Sequence, residues 1–486
     1  MSFEFFSATK TAPPAIIQGG MGIGVSNWRL ARAVSRLGQL GVVSGTAVDT
    51  VLVRRLQDGD PGGDMRRAME RFPIPGVAER VLRRYFREHG RKKDAPYALL
   101  PMYRQSVSAE REQVTMLANF VEVWLAKEGH HGVVGINLLT KVQMPNLASL
   151  YGAMLAGVNY VLMGAGIPRE IPGALDALAR HEATWIKLDV EGDAAPIPDL
   201  LTFDPRRHWS PREELVRPRF LAIVSANSLA TTLARKASGR VDGFIVEGPT
   251  AGGHNAPPRG EPRFNSSGEP LYGDRDVVDL AKMRELELPF WLAGGRGVEG
   301  AAQAAREVGA AGVQVGTLFA YCAESGLEPA LRNEALAGVA NGTIRVRTDP
   351  RASPTGYPFK VVEVEEMPRQ DDSRQRVCDL GYLRTVYRAP SGKLGYRCPA
   401  EPVESYVAKG GNAADTIGRR CLCNGLTANI GLPQRRDTGD ELPLITSGDD
   451  LASVAMLASL HGEYTAAHVI ELLSAGVVAA EMSSTS

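Results

Sequence analysis

The chain has 486 residues, 55 basic and 55 acidic side chains, no formal net charge, and 44% apolar residues. Balanced charge without a polybasic tail gives no footprint for nucleic acid or an anionic membrane, and no apolar run is long enough to span a bilayer. The N-terminus MSFEFFSATKTAPPAIIQGG lacks the layout of a signal peptide, and five cysteines suit a reducing compartment better than a disulfide framework. The expectation is a cytoplasmic globular enzyme, with homo-oligomer formation left open.

Short apolar runs recur, many followed by a glycine-bearing turn and a helical pattern. In chain order they are AIIQGG (15–20), GVVSG (41–45), GVVGINLL (132–139), YVLMGAG (160–166), FLAIVS (220–225), GFIVEG (243–248), FWLAGG (290–295) and GVQVGT (312–317). Amphipathic segments such as NWRLARAVSRLG (27–38) and EGAAQAAREVG (299–309) lie between them. Eight continuous apolar strands alternating with helices predict an α/β fold, a TIM (β/α)8 barrel, over residues 1–329. Residues 52–130, charged and helical in pattern, read as a helical insertion that forms a cap or partner surface. Its basic run RRYFREHGRKK reads as a solvated helix face. WIKLDV (185–190) is a ninth strand candidate, read with the stretch up to Pro218 as an excursion. Residues 330–440, rich in Gly, Pro, Arg and Cys, read as a C-terminal loop-rich, cysteine-bearing subdomain. Residues 441–486 return to helical periodicity over 444–476, as if closing the barrel, and end in EMSSTS, read as a disordered tail.

In such a barrel the turns after the strands share one face, where the active site lies. The stretch VEGPTAGGHNAPPRG (246–260) puts His254 on one of these turns, either facing water or handling a proton near neutral pH. The turns after the last two strands, AGGRG and VGTLF, offer the backbone N–H groups of Gly294, Gly295, Gly316 and Thr317, and the Thr317 hydroxyl, to a phosphate monoester. QGGMG (18–22) presents backbone without Cβ atoms beside which a planar ring can lie. Asn137 offers the amide donor and acceptor that a polar ring edge needs. A phosphate at one side and a heterocycle in the middle describe a bound mononucleotide, of which FMN is the redox one.

The ordered set IIQGGM, GINLL, EGPTAGGH, LAGGRG and VQVGT resembles the nitronate monooxygenase (2-nitropropane dioxygenase) family of FMN-dependent barrels. The pattern is shared by FMN-dependent enoyl-acyl-carrier-protein reductases and the enoyl reductases of polyunsaturated fatty acid synthases. The resemblance implies that His254 abstracts an α-proton or positions a nitronate near flavin N5. It implies that Gln18, Gly19, Gly20, Met21 and Asn137 line the isoalloxazine, that Gly252 and Gly253 back it, and that the two late glycine turns hold the phosphate. The chain departs from the pattern at Thr250, where the family has an acidic residue, and in GGRG (294–297), where a branched apolar residue is usual.

Three functions follow. The first is a nitronate monooxygenase that uses O2 to turn alkyl nitronates into carbonyl compounds and nitrite. The second is an enoyl-thioester reductase using NAD(P)H, in which His254 orients or protonates the enolate. The third is a non-catalytic flavin-holding protein that docks a partner. The lack of a separate GxGxxG fingerprint favours the first over the second. Cys378, Cys398, Cys421 and Cys423 are enough for a tetrahedral zinc site, yet their spacing matches no paired Cys-x2-Cys pattern. Buried thiols, or an oxygen-sensitive pair near the site mouth, stand ahead of zinc, and an iron–sulfur ligand set is the third alternative. His130 and His131 read as turn residues, His461 and His468 as helix-surface residues, and Cys322 as a small core residue.

Overall fold

The computed structural model describes residues 12–192, 197–210, 213–364, 370 and 374–475; the tail EMSSTS lies outside them. Each predicted apolar run forms a strand: β1 Ile16–Gln18, β2 Gly41–Ser44, β3 Val134–Leu139, β4 Tyr160–Gly164, β5 Arg219–Val224, β6 Gly243–Glu247, β7 Phe290–Ala293 and β8 Gly312–Val315. They form one sheet in the order β1-β8-β7-β6-β5-β4-β3-β2, parallel throughout. At the two ends of this order, the Gln18 N–H donates to the Leu40 carbonyl (2.9 Å) and the Leu40 N–H to the Ile16 carbonyl (3.1 Å). These bonds bring the edge strands together, and the sheet closes into a barrel.

The strands are apolar on both faces because both are buried. Successive side chains point to opposite faces. Phe220, Ala222, Val224, Phe244 and Val246 point outward into the main core under the helices. Ile17, Val42, Leu162, Leu221, Ile245 and Trp291 point inward and fill the barrel. The Trp291 indole donates to the Pro14 carbonyl (2.7 Å), a partner that a buried N–H requires.

The insertion forms four helices, Val48–Gln57, Asp64–Met69, Val77–Tyr85 and Ala109–Lys127. The last is more than a cap: it packs against helices Trp28–Arg36 and Asn146–Leu155 and serves as the barrel's crossover from β2 to β3. The excursion after β4 pairs Thr184–Lys187 antiparallel with Leu200–Phe203, outside the barrel. Its Val190–Glu191 then pairs with Thr385–Arg388, joining it to the C-terminal third. Helices Leu451–His461 and Ala466–Ser474 pack on the short helix Thr317–Ala320 and on Ala301–Glu307 and Trp28–Arg36, where the eighth barrel helix belongs. Among the described residues no helix is long and apolar enough to cross a membrane.

Between these parts a buried polar cluster ties the insertion to residues 330–440. Asp49 accepts from the Arg111 guanidinium (2.7 Å), the Tyr382 hydroxyl (2.6 Å) and the Thr115 hydroxyl (3.0 Å). Burial alone would raise the Asp49 carboxyl, but the Arg111 charge and these hydrogen bonds outweigh it and hold the group below its usual range. Removing one partner leaves the other charge buried and uncompensated. Arg111→Ala is expected to lower stability by about 3–5 kcal/mol in urea unfolding. Arg180→Ala, which opens the exposed Arg180–Glu182 pair, is expected to leave it unchanged.

Candidate active site

The barrel's inward rows end in a floor with one residue from each strand or the turn just after it. On six strands it lies two positions beyond a barrel-filling residue: Gly19 after Ile17, Ser44 after Val42, Gly164 after Leu162, Ile223 after Leu221, Glu247 after Ile245 and Ala293 after Trp291. Asn137 and Gln314 complete the ring. Above this floor lies a cavity of about 1430 Å³, counting its open mouth. Its walls are the turns Gly20–Ile23, Thr250–His254, Gly294–Gly295 and Gly316–Thr317. Its roof comes from the C-terminal third, from Phe359, Tyr382, Leu383, Leu422, Cys423, Leu426 and the segment Thr446–Gly448. The loop-rich subdomain is therefore part of the pocket.

Gly19, Gly20, Met21, Asn137, Gly252, Gly253, His254, Gly294, Gly295, Gly316 and Thr317 all line this cavity. Gln18 does not. Its side chain shares the outward parity of Ile16, its Nε2 donates to Ser26 Oγ (2.8 Å), and its Oε1 accepts from the Val42 N–H (2.9 Å). It is a bolt under the first turn rather than a wall of the pocket.

The glycines fit a flat ligand and an anion. A Cβ on Gly20 would stand 2.3 Å from the Asn137 Cβ, so this wall closes against Asn137 only as glycine. Gly294 has φ +84°, and a Cβ there would stand 3.0 Å from the Ala251 nitrogen and the Gly248 carbonyl oxygen. The turn after β7 thus nests on the His254 turn. Thr317 Oγ1 accepts from the Gly448 N–H (3.0 Å), which stitches the roof to the turn after β8.

His254 is not on a free loop. The Lys360 N–H donates to the Gly253 carbonyl (2.9 Å) and the Asn255 N–H to the Pro358 carbonyl (2.9 Å), both from the hairpin Ile344–Asp349/Phe359–Val364 or the turn inside it. The Gly253 N–H donates to Thr446 Oγ1 (2.9 Å). The imidazole Nε2 lies 2.7 Å from Ser353 Oγ, itself 2.8 Å from Thr355 Oγ1, and the ring stands edge-on to Phe359 at 4.8 Å between centroids. Burial, with Lys141 adding positive charge nearby, pushes the imidazole down to about 4. It is neutral at neutral pH.

Two cavity carboxyls went unread in the sequence. Glu247, at the end of β6, is pushed up to about 8 by burial. Asp450, from the start of helix Leu451–His461, is raised by burial, and its Oδ2 accepts from the Gly297 N–H (3.1 Å). A visible signal for Glu247 was a carboxylate closing an otherwise apolar strand in register with barrel-filling Ile245.

Cys378, Cys398, Cys421 and Cys423 line one small cavity beside the roof, where Cys423 and Leu383 also face the main pocket. Among the described residues no three His, Cys, Asp or Glu side chains gather as a metal-holding group. Cys322 is fully buried and donates to the Phe319 carbonyl (3.2 Å), as a core thiol does. His130 bonds the Ala126 carbonyl, and His461 and His468 stack with ring centroids 3.8 Å apart on the outer helices.

A glycine-walled pocket at the C-terminal mouth of a (β/α)8 barrel, holding a neutral histidine and a half-buried carboxyl, is the working end of a barrel enzyme. A family model described as nitronate monooxygenase matches residues 202–353, which take in β5 to β8, the His254 turn and Ser353. Among solved structures the chain is similar to FabK from Thermotoga maritima, at 15% identity over 97% of this chain and 96% of that one, with a TM-score of 0.46. It is also similar to nitroalkane oxidase from Streptomyces ansochromogenes, at 16% identity over 98% of each chain, with a TM-score of 0.45. A comparison with curated proteins gives no match. The family match supports an oxidoreductase with a flavin cofactor.

The His254 environment has a pH consequence. Between pH 6.5 and about 4 the unfolded chain takes up a proton on this residue that the folded chain does not. Its contribution to stability is therefore full above 6.5 and lost as the pH falls toward 4. His254→Gln is expected to flatten the decline of Tm across that window; parallel declines in variant and wild type would place the imidazole in water.

Proposed function

We propose that the chain is an FMN-dependent nitronate monooxygenase that converts alkyl nitronates and O2 to carbonyl compounds and nitrite. The observation that carries this reading is His254, a neutral imidazole on the wall of a glycine-lined pocket within the stretch matched by the family model. A neutral imidazole offers an unprotonated ring nitrogen that can accept a proton. It therefore suits a substrate that surrenders an α-proton or arrives without one. The Ser353 hydroxyl holds the ring through Nε2.

The residues present fit FMN. Gly294, Gly295, Gly316 and Thr317 would hold its phosphate with backbone N–H groups. Gly19, Gly20, Met21 and Asn137 would line its ring, with Gly252 and Gly253 behind. Bound FMN supplies the electron transfer between the organic substrate and O2. Arg296, exposed on the turn after β7, adds positive charge beside the phosphate turns.

A second reading, reduction of an enoyl thioester with NAD(P)H, is favoured by one observation. Glu247 faces the same cavity as a carboxyl pushed up to about 8, so the pocket holds an acid even though His254 is not one.

Denatured protein is expected to release one non-covalent FMN per chain; recovery of FAD, or of no flavin after reconstitution, overturns the cofactor assignment. His254→Ala is expected to keep FMN and lose turnover of neutral nitroalkanes by ~10²-fold or more, with a smaller loss on preformed nitronates. Wild-type rates on both forms would remove His254 from the chemistry. Consumption of NAD(P)H with an enoyl thioester, without oxidation of nitronates, would replace the first reading by the second. No turnover of either substrate would leave a flavin-holding protein that docks a partner.

A further inference from the structure

We infer that Glu247 is the substrate-side hydrogen-bond donor of this cavity, its carboxyl O–H placed to bind a planar oxyanion conjugated to the reacting carbon. A nitronate and a thioester enolate share that feature. The inference rests on the oxidoreductase reading above and adds to it the group that recognises the anion.

The geometry comes from the barrel. Glu247 continues the inward row of Ile245 and so stands on the floor, beneath whatever the pocket holds. In register across the sheet it lies beside Ala293, and Ala293 beside Gln314. The methyl group between them leaves both longer side chains open to the cavity. No hydrogen bond or ion pair reaches the Glu247 carboxyl among the described residues, and burial is the sole influence on its ionisation. Gln314 carries a buried Oε1 with no partner. A floor row with two uncommitted polar groups is costly unless a ligand completes it.

No neighbour forms an ion pair with the carboxyl among the described residues, because the nearby cation is committed elsewhere. Glu247 also lines a small adjoining cavity with Arg259, Tyr272 and Asp276. The Arg259 guanidinium donates to the carbonyls of Ser225 (2.7 Å) and Arg275 (2.5 Å), and its backbone N–H to Asp276 Oδ1 (2.9 Å). The Tyr272 hydroxyl donates to the Ala256 carbonyl (3.1 Å). Across the main cavity, His254 is neutral and engaged by Ser353. With no cation paired to it among the described residues, and burial pushing it up to about 8, the carboxyl is held mostly protonated at neutral pH. A carboxylate here would repel an anionic substrate, whereas a buried carboxylic acid donates one strong hydrogen bond to it. Such a donor strengthens as negative charge gathers on the oxygen, so it favours the charged form of the substrate over a neutral one.

Two variants of the flavin-loaded protein test this: Glu247→Gln and Glu247→Ala. The infrared spectrum of wild type at neutral pH is expected to show a protonated-carboxyl band that Glu247→Gln lacks and that fades as the pH rises through about 8. Affinity for nitrate, an inert planar oxyanion, is expected to fall in Glu247→Ala and to be largely kept in Glu247→Gln, which retains a neutral donor. Turnover separates the two substrate sources. A loss of ~10²–10³-fold in Glu247→Ala, the scale of one lost oxyanion donor, is expected on ethyl nitronate if the substrate is a nitronate. The same loss on a crotonyl-pantetheine thioester assigns the donor to an enolate. Absence of the carboxyl band, or nitrate affinity and turnover equal to wild type in Glu247→Ala with its flavin in place, overturns the inference. Failure of the flavoprotein reading is recognised separately, as wild-type protein that takes up no flavin. The band and the nitrate affinity still report on Glu247 in that case.

Discussion

Glycines have no side chains with which to hold a shape, so the turn that carries His254 is shaped by whatever binds its backbone. That constraint organises the C-terminal third of the molecule. The hairpin Ile344–Asp349/Phe359–Val364 and the segment Thr446–Gly448 contribute the Lys360, Thr446 and Gly448 bonds that fix the turns after β6 and β8. Each such bond is worth roughly 1 kcal/mol net, which is little for a fold and much for a turn otherwise free to sample positive φ. Ser353 and Phe359 then lock the imidazole itself. The roof and the His254 turn are thus held as one unit.

Burial acts on three ionisable groups here with two outcomes. Asp49 stays charged because Arg111, Tyr382 and Thr115 all point at it. His254 and Glu247 have hydrogen-bonding or empty surroundings without a compensating charge, and each is driven to its neutral form. The paired charges serve the joint between insertion and roof, where a fixed geometry is needed. The unpaired neutral groups face the cavity, where a ligand's charge is what changes. Perturbed groups in a cleft are the ordinary mark of a functional site.

The strands were legible because a parallel barrel demands continuous apolar runs, and each of the eight carries one. The glycine turns were legible for a related reason: only glycine closes the approaches at Gly20 and Gly294. Parity decides which polar residues at the strand ends face the cavity. Gln18 adjoins the glycines of its turn, yet it is in step with outward-facing Ile16 and is spent on Ser26 and Val42. Glu247 is in step with inward-facing Ile245 and was passed over as part of an apolar run. Counting by twos along β1 and β6 separates the two cases. The roof had no such period to read, because it is built from short hairpins and turns whose partners are distant in the chain. The last helix of the insertion is more apolar than those before it, burying Val114, Leu117, Phe120 and Val121, and its packing identifies it as a barrel crossover.

Thr250 shows how a departure from the family pattern alters the charge of the pocket. Its Oγ1 would lie 3.0 Å from a Cβ on Gly294 and 3.1 Å from one on Gly295, so its side chain stands over the turn after β7. A carboxylate at this position would set a negative charge against the turn read as a phosphate cradle; a hydroxyl sets a neutral donor there. The acid that does approach, Asp450, comes from the roof, and burial raises it toward its neutral form while it accepts from Gly297. On the same turn Arg296 replaces a branched apolar residue with a permanent positive charge. The two departures act in one direction. Each makes the turn less hostile to an anion than an acidic or apolar residue in the same place would.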